Sequence, residues 1–433
     1  MTGCAIRPAP TDGRSTGSSR RGTERRISGA LYVLVMPDGA TRVSDRIGQL
    51  LEELDPRTAP VEEFRARQFD LGLAWVSFPE QLGGLGLPPN FQREIDRRLG
   101  EAGAQSPGAR EFFGMTMAGP TMVTHGSDEL RSRLLKKTFT GEASWCQLFS
   151  EPGSGSDLAG LSTRAVRDGD EWVVTGQKVW NTLAHIADQG MLVARTDPEA
   201  PKHKGLTYFA LDMHAKGVEV RPLRQMTGEA EFNEVYMTEV RVPDADRIGD
   251  VGEGWRVAMT TLSNERSTIG GGSGPPVRGS GSIAEAVRIW QSEGFRQNAV
   301  DRDRLTRSWI ESEVLRLTNM RASQSRKAGN PGPEGSIAKL MFAEVNKRVY
   351  ELCVDLLGAS ALVEYDYTMR RAETLGLVGP PGSARKMFIR SRANSIEGGT
   401  SEIQRNILGE RILGLPGDIR VDKEMPWSKV PRS

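Results

Sequence analysis

Apolar positions recur along this chain with two different periods. Between about residues 41 and 145 the spacing is helical. Val43, Ile47, Leu50, Leu51 and Leu54 fall at i, i+4, i+7, i+8 and i+11, one stripe of a helix. A Gly/Pro-rich run at 79–89 (PEQLGGLGLPP) marks a turn. From about 146 to 257 the period changes. Segments 172–176, 190–196, 206–213, 218–224 and 232–243 are short and rich in β-branched and aromatic residues, and turns such as Asp168-Gly169-Asp170 separate them. Strands so closely spaced predict a small all-β barrel or sandwich. From about 258 to 419 the helical spacing returns. Ile337, Leu340, Met341, Val345, Val349 and Leu352 share one stripe of a long helix that begins after Pro333, and Ile310, Val314 and Leu317 form a stripe of an earlier one. A glycine-rich stretch at 270–281 interrupts the first helix of this part.

The pattern predicts an α+β protein without alternating βαβ units. It has an N-terminal helical domain (41–145), a middle β domain (146–257) and a C-terminal helical bundle (258–419), with tails at 1–40 and 420–433. Residues 1–26 are rich in Arg, Ser, Thr and Gly, a composition that predicts disorder. The apolar run 27–36 (ISGALYVLVM) is too short to span a membrane. No Ala-x-Ala follows it before Asp38, so a tail fits better than a signal peptide.

Composition narrows the function classes. With 433 residues the chain can build two or three cores, and 37% hydrophobic against 26% charged residues reads as soluble and globular. Lys+Arg is 57 and Asp+Glu 56, a net charge of +1 that gives no pull toward nucleic acid or an acidic membrane. Cys4, Cys146 and Cys353 are far apart and form no Cys-x-x-Cys. That argues against a disulfide framework or zinc and fits a reducing cytoplasm. His125, His185, His203 and His214 are scattered, so nothing points to a metal. Despite 49 glycines there is no Gly-x-Gly-x-x-Gly and no Gly-x-x-x-x-Gly-Lys-Ser/Thr. Nicotinamide and phosphate-loop chemistries lose their signatures.

Three segments carry a positive signal. The first is Ser150-Glu151-Pro152-Gly153-Ser154-Gly155-Ser156-Asp157, followed by Gly176-Gln177-Lys178-Val179-Trp180-Asn181-Thr182. The second runs from Phe232-Asn233-Glu234-Val235 to Val242-Pro243, then Gly249, Gly252 and Gly254-Trp255. The third is Gly399-Thr400-Ser401-Glu402-Ile403-Gln404-Arg405-Asn406-Ile407, running into Glu410-Arg411-Ile412-Leu413-Gly414. In order and spacing over roughly 41–415 they resemble the signatures of acyl-CoA dehydrogenases. The resemblance implies FAD, an acyl-CoA or acyl-carrier thioester as substrate, electron-transfer flavoprotein as electron acceptor, and a homo- or hetero-oligomer, dimer or tetramer. It also implies that Gln147, Phe149, Ser150, Trp180, Thr182, Thr400 and Glu402 line FAD and that Ser156 touches the acyl-CoA. Alone, Trp180 would read as a core tryptophan; within its motif it offers a flat apolar face for an isoalloxazine.

The implied chemistry is α,β-dehydrogenation of a thioester. A base removes the α-proton while flavin takes the β-hydrogen as hydride. Such a base is a desolvated carboxylate, and hydrogen bonds to the thioester oxygen must strengthen as enolate charge develops. Most of the family carries the base just before the Gly-Thr of the third segment, where this chain has Gly398. The Gly398 N–H remains as a donor to the thioester oxygen. Glu397 is one residue off, and its side chain should point elsewhere. Residues 255–269 read as a helix in which Ala258, Leu262, Glu265 and Ile269 share the apolar stripe. A carboxylate there is either paired or functional. Long-chain and isovaleryl-CoA dehydrogenases, which also lack the usual glutamate, carry their base at the position matching Glu265. Glu265 is therefore the expected base, with Arg266 and Ser263 beside it as candidates for the CoA moiety.

Two departures stand out. The family's Arg-x-Phe-Gly has no match in Ile289–Arg296, and Asp355 stands where many members have glutamine. They leave two rivals: an oxidase or monooxygenase on the same fold, and a non-catalytic subunit that completes another chain's FAD pocket. Arg288 and Arg296 are candidates to compensate.

Overall fold

The computed structural model describes residues 29–269, 277–292, 298–327, 332–363, 366, 368–373, 383–417, 419 and 422–431. The stretch 1–26 and Arg296 lie outside them. The N-terminal domain holds α1 (Gly29–Glu53), α2 (Val61–Asp70), α3 (Gln92–Ala102), α4 (Ala109–Phe113), α5 (Gly119–His125) and α6 (Asp128–Thr140). The first helix begins inside the stretch that the sequence pattern assigns to a tail, before residue 41. Its Val43, Ile47 and Leu50 are buried against Phe64, Leu73, Ile95 and Leu99, as the stripe requires. The run 79–89 turns the chain, with Gly83 in the left-handed region at φ 82°.

The middle domain contains β1 (Trp145–Leu148), β2 (Arg164–Asp168), β3 (Glu171–Thr182), β4 (Gln189–Arg195), β5 (Leu206–Asp212), β6 (Val218–Pro222), β7 (Phe232–Pro243) and β8 (Arg247–Ile248). They form one sheet in the order β6-β7-β3-β2-β4-β5-β8, with β1 parallel to β4. Gly169, at φ 67°, closes the β2–β3 hairpin, where Asp168 pairs with Glu171. One face encloses a core of Leu148, Trp172, Val174, Leu192, Phe209, Val235, Val240 and Val242. The other face of β1, β4 and β5 packs Trp145, Met191, Val193 and Tyr208 on helices. Covered on both faces, β4 and β5 are buried almost throughout, so their sequences are continuous apolar runs rather than alternations.

The C-terminal domain comprises α7 (Gly254–Ile269), α8 (Ser282–Ser292), α9 (Ala299–Lys327), α10 (Glu334–Leu357), α11 (Ala384–Arg390) and α12 (Ser401–Ile407). Val345, Val349 and Leu352 of α10 pack with Ile283, Ile289, Leu305 and Met387. Ile310, Val314 and Leu317 share one stripe of α9, but it faces outward: they are 56%, 46% and 50% exposed. Three domains meet at buried hydroxyls. Thr121 on α5 and Tyr208 on β5 lie 3.0 and 3.1 Å from Thr261 on α7.

Candidate active site

The site begins at an irregularity in β3. Its ladder with β7 pairs Lys178 with Val235 and then skips to Asn181 with Asn233. The bulge releases Val179 and Trp180 from the regular alternation. Trp180 takes a left-handed φ of 63°, which swings its indole out to 57% exposure beside the edge of Phe232, 5.7 Å between ring centres. Residues around the bulge then staple the end of β1. The Asn181 amide donates to the Gln147 carbonyl at 2.7 Å, the Lys178 ammonium to the Phe149 carbonyl at 2.9 Å, and the Val179 N–H to the Ser150 carbonyl at 2.9 Å.

Lys178 is wholly buried, 0% exposed, and 2.9 Å from the Glu151 carboxylate. That carboxylate also accepts the N–H groups of Ser162 and Thr163 at 2.6 and 2.8 Å. Burial pushes the Glu151 carboxyl up, but the Lys178 ammonium and the Ser162 N–H outweigh it and hold it below the usual range. Burial lowers the Lys178 ammonium, against the pull of Glu151. The pair fixes the first turn of the loop that continues through Ser156, which is exposed.

The second wall comes from the helical bundle. Glu265 lies on α7, in register with buried Ala258 and half-buried Leu262. The Gln147 amide donates to its Oε2 at 3.1 Å, tying β1 to α7. The other oxygen, Oε1, faces the turn before α12: a Cβ built on Gly398 would stand 4.0 Å from it. Gly398 and Gly399 have φ of 62° and 88°, left-handed values that favour glycine. Lys339 of α10 donates to the carbonyls of Asn394 at 3.0 Å and Gly399 at 2.5 Å, and Gln404 to that of Gly398 at 3.3 Å. Among the described residues no acceptor takes the Gly398 N–H. Burial lowers the Lys339 ammonium, against the opposing fields of Glu397, Glu344 and Glu402.

Glu397 points away, as its register suggests. Its carboxylate is held by Arg390 at 3.0 and 3.1 Å and by the Asn394 amide at 2.8 Å. Arg390 also meets buried Glu231 at 3.3 Å. Thr400 caps α12, its hydroxyl accepting the Ile403 N–H at 3.1 Å.

Of the residues expected from sequence, the fold brings together Gln147, Phe149, Ser150, Trp180 and Thr182 on the β wall, and Glu265, Gly398 and Thr400 on the helical wall. Phe149 is buried edge-on to Tyr208, while Ser150 and Thr182 are half-buried. Glu402 is exposed and lies 3.6 Å from Arg405. Ser263 is exposed, two residues from Glu265 and so off its helix face. Arg266 lies on α7, but its side chain is outside the described residues. Asp355 pairs with Arg304 at 2.5 Å, and Arg288 with Glu285 at 2.7 Å, so both are engaged within the bundle. Lys178 and Lys339 carry supporting roles that the motifs did not assign. Alternation from Trp172 and Val174 places Lys178 on the inward face of β3; nothing local marks Lys339.

The β wall fits a flavin by its donor set. The carbonyls of Gln147, Phe149 and Ser150 are turned into the protein, leaving an exposed indole flanked by half-buried hydroxyls. Among the described residues no group of three or more His, Cys, Asp or Glu could hold a metal ion, and no helix is long and apolar enough to cross a membrane.

Comparison with known proteins agrees with the helical, β and helical architecture of the fold. Family models for the acyl-CoA dehydrogenase N-terminal, middle and C-terminal domains match residues 41–142, 146–240 and 252–413. The chain is 34% identical over 352 residues to the acyl-CoA dehydrogenase IpdE1 of Mycobacterium tuberculosis, covering 81% of this chain and 86% of that protein. It is 37% identical over 360 residues to FadE34 of the same organism; that match covers 82% of this chain but spans only 47% of the longer relative. Among solved structures, the ChsE4–ChsE5 complex of Mycobacterium tuberculosis superposes with a TM-score of 0.64 at 27% identity, over 88% of this chain and 98% of that one.

Proposed function

The chain belongs to the acyl-CoA dehydrogenase family of flavoprotein oxidoreductases, and from that premise we propose that it binds FAD and converts an acyl-CoA thioester to the trans-2-enoyl thioester, with Glu265 as base. The observation that carries this reading is the meeting of Glu265 with the Gly398 turn. The carboxylate reaches from α7 to within 4.0 Å of the point where a Gly398 side chain would start. A carboxylate delivered from a different element thus stands where the third motif lacks one.

The roles divide by atom. Gln147 holds Glu265 Oε2, and Oε1, the oxygen toward the Gly398 turn, takes the α-proton. The Gly398 N–H donates to the thioester oxygen and strengthens that bond as negative charge develops. Lys339, bound to the Gly399 carbonyl, keeps the turn in its left-handed shape. Trp180, Phe149, Ser150, Thr182 and Thr400 hold FAD, with Glu402 nearby on α12. Bound FAD supplies the hydride acceptor for the β-hydrogen. Ser156, Ser263 and Arg266 are the candidates for binding the carrier part of the thioester.

The exposed stripe on α9 supports assembly with a second copy or a homologous chain. The local pairing of Arg288 and Asp355 supports a partner's contribution to the FAD phosphates. Electron-transfer flavoprotein is the proposed acceptor. The buried free thiols of Cys146 and Cys353 support a cytoplasmic setting.

The test is colour. The purified protein should be yellow, and its flavin should bleach anaerobically with one member of an acyl-CoA panel. Hydrogen peroxide released in air at the rate of turnover would indicate an oxidase instead. A colourless chain that co-purifies with a homologous one would make this a completing subunit.

A further inference from the structure

Beyond the last residue of the family match, the chain returns to the β domain. Residues 422–431 lie across the β4–β5 connection and the end of the Ser150–Gly160 loop. Pro426 bridges to Pro201, the Trp427 N–H donates to the Ala200 carbonyl at 3.0 Å, and the Ser428 N–H to that of Pro198 at 2.8 Å. The Trp427 indole N–H donates to the Gly160 carbonyl at 3.1 Å. The Arg195 guanidinium lies 4.2 Å from the centre of the same ring. Arg195 is buried and grips the loop from beneath, donating to the carbonyls of Ala159 at 2.6 Å and Leu161 at 3.1 Å. Lys202 closes the arrangement, 3.1 Å from Asp157 and 2.7 Å from Asp422.

The loop is therefore fixed at both ends, and between them buried Ser154 bridges to Glu151 and donates its hydroxyl to the Asp157 carbonyl at 2.5 Å. Lys178 and Glu151 hold its start, and the C-terminal segment holds Asp157 and Gly160. Gly153 and Gly155 have open space around them, and exposed Ser156 stands immediately before the clamped Asp157. Ser156 is exposed and follows Gly155, so the placement of its hydroxyl depends on the held residues on either side, Ser154 and Asp157.

We propose that the C-terminal segment is a strap that positions Ser156 for the carrier part of the thioester, with Trp427 as the residue that seats it. The strap acts through the loop and touches neither Glu265 nor the Trp180 face. It therefore governs substrate affinity and leaves the chemical step alone. This rests on the acyl-CoA reading above.

The test uses the full chain, its Trp427→Ala and Trp427→Phe variants, and Lys202→Met, which severs the Asp157–Asp422 bridge without touching Trp427. Binding of free coenzyme A by titration calorimetry needs neither turnover nor flavin, and KM and kcat are measured with the acyl-CoA that bleaches the parent. In Trp427→Ala, KM and the coenzyme A dissociation constant rise roughly tenfold while kcat and flavin content stay within about twofold. Trp427→Phe, which keeps a ring under Arg195 but loses the bond to Gly160, falls between parent and Ala. Should Trp427→Ala not fold, Lys202→Met carries the test, with KM rising and kcat unchanged. Unaltered KM and coenzyme A affinity in a folded variant overturn the strap. So does a matched fall in kcat and flavin content, which marks a general structural role. A parent that binds no coenzyme A overturns the acyl-CoA reading itself, and the strap with it.

Discussion

Each wall of the site is organised by a lysine, and the two lysines are used differently. Lys178 is sealed inside the β domain, where its charge meets the Glu151 carboxylate and a carbonyl. Lys339 is half-buried and meets the carbonyls of Asn394 and of Gly399 in the glycine turn. The first network is closed, because each charge has an opposite charge and Glu151 is also satisfied by two N–H groups. The second spends its cation on main-chain dipoles, and Gln147 holds Glu265 through Oε2. A closed buried pair suits a surface that must hold one shape, the face for a cofactor. A turn held by dipoles, beside a carboxylate with one oxygen toward the turn, suits proton transfer. The comparison predicts that damage to the helical wall strikes turnover, and damage to the β wall strikes stability and flavin retention.

The sharpest way to break that division is Glu265→Gln. Loss of a general base costs about 10²- to 10⁴-fold in rate. We expect kcat to fall by at least about a hundredfold, with flavin content and melting temperature close to the parent's. Unchanged turnover would sink the assignment. In that background, Gly398→Glu returns a carboxylate near the lost one, since the nearest atoms to its Cβ, Lys339 Cε and Glu265 Oε1, are 3.8 and 4.0 Å away. Recovery should be partial, because a non-glycine residue at a left-handed φ costs about 1–2 kcal/mol.

Lys178→Met tests the other wall. It strands Glu151 without its counter-charge, and breaking a buried pair from one side costs about 3–5 kcal/mol. Denaturant unfolding should show a loss of that order, and the purified variant should retain less flavin. A variant that keeps full flavin and stability would erase the distinction between the walls. Lys339→Met should do less to the fold. The charge-assisted bonds to Asn394 and to Gly399 of the turn are lost, and a shift of about 1.4 kcal/mol in the barrier corresponds to a tenfold fall in kcat. The expected signature is lower kcat with unchanged flavin content.

The sequence made parts of this legible and hid others for physical reasons. The α–β–α order followed from the helical spacing of the outer domains and from the short β-branched and aromatic segments between turns in the middle one. The very short β8 offered no period to read. The α9 stripe was correct as a set of residues sharing a face, yet periodicity says nothing about what covers that face, and within this chain Ile310, Val314 and Leu317 remain about half exposed. Glu265 was legible because a carboxylate on an apolar stripe contradicts its surroundings. Its tie to Gln147, 118 positions away, was not. Trp180 was legible as a motif residue, but its outward swing depends on a bulge that only the pairing of β3 with β7 creates. Lys339 joins turns 55 and 60 positions downstream, a contact set by helix packing alone.

Acid offers the smallest effect, and it probes the β wall through Glu151. The Glu151 carboxyl lies below its ordinary value of 4.5 in the folded chain. The folded state therefore binds that proton less readily than the unfolded one. The stability this contributes is fully present above the unfolded value and is lost as pH falls through the lower, folded one. Melting temperature should decline from just above pH 4.5 downward, and flavin release should accompany the decline, because the same carboxylate holds the loop beside Trp180. Glu151→Gln starts from lower stability and should show a shallower acid slope over the same interval, since it has no proton to gain at this position. Parallel slopes in parent and variant would mean that Glu151 is not the group being titrated. The β wall would then owe its firmness to packing rather than to its buried charges.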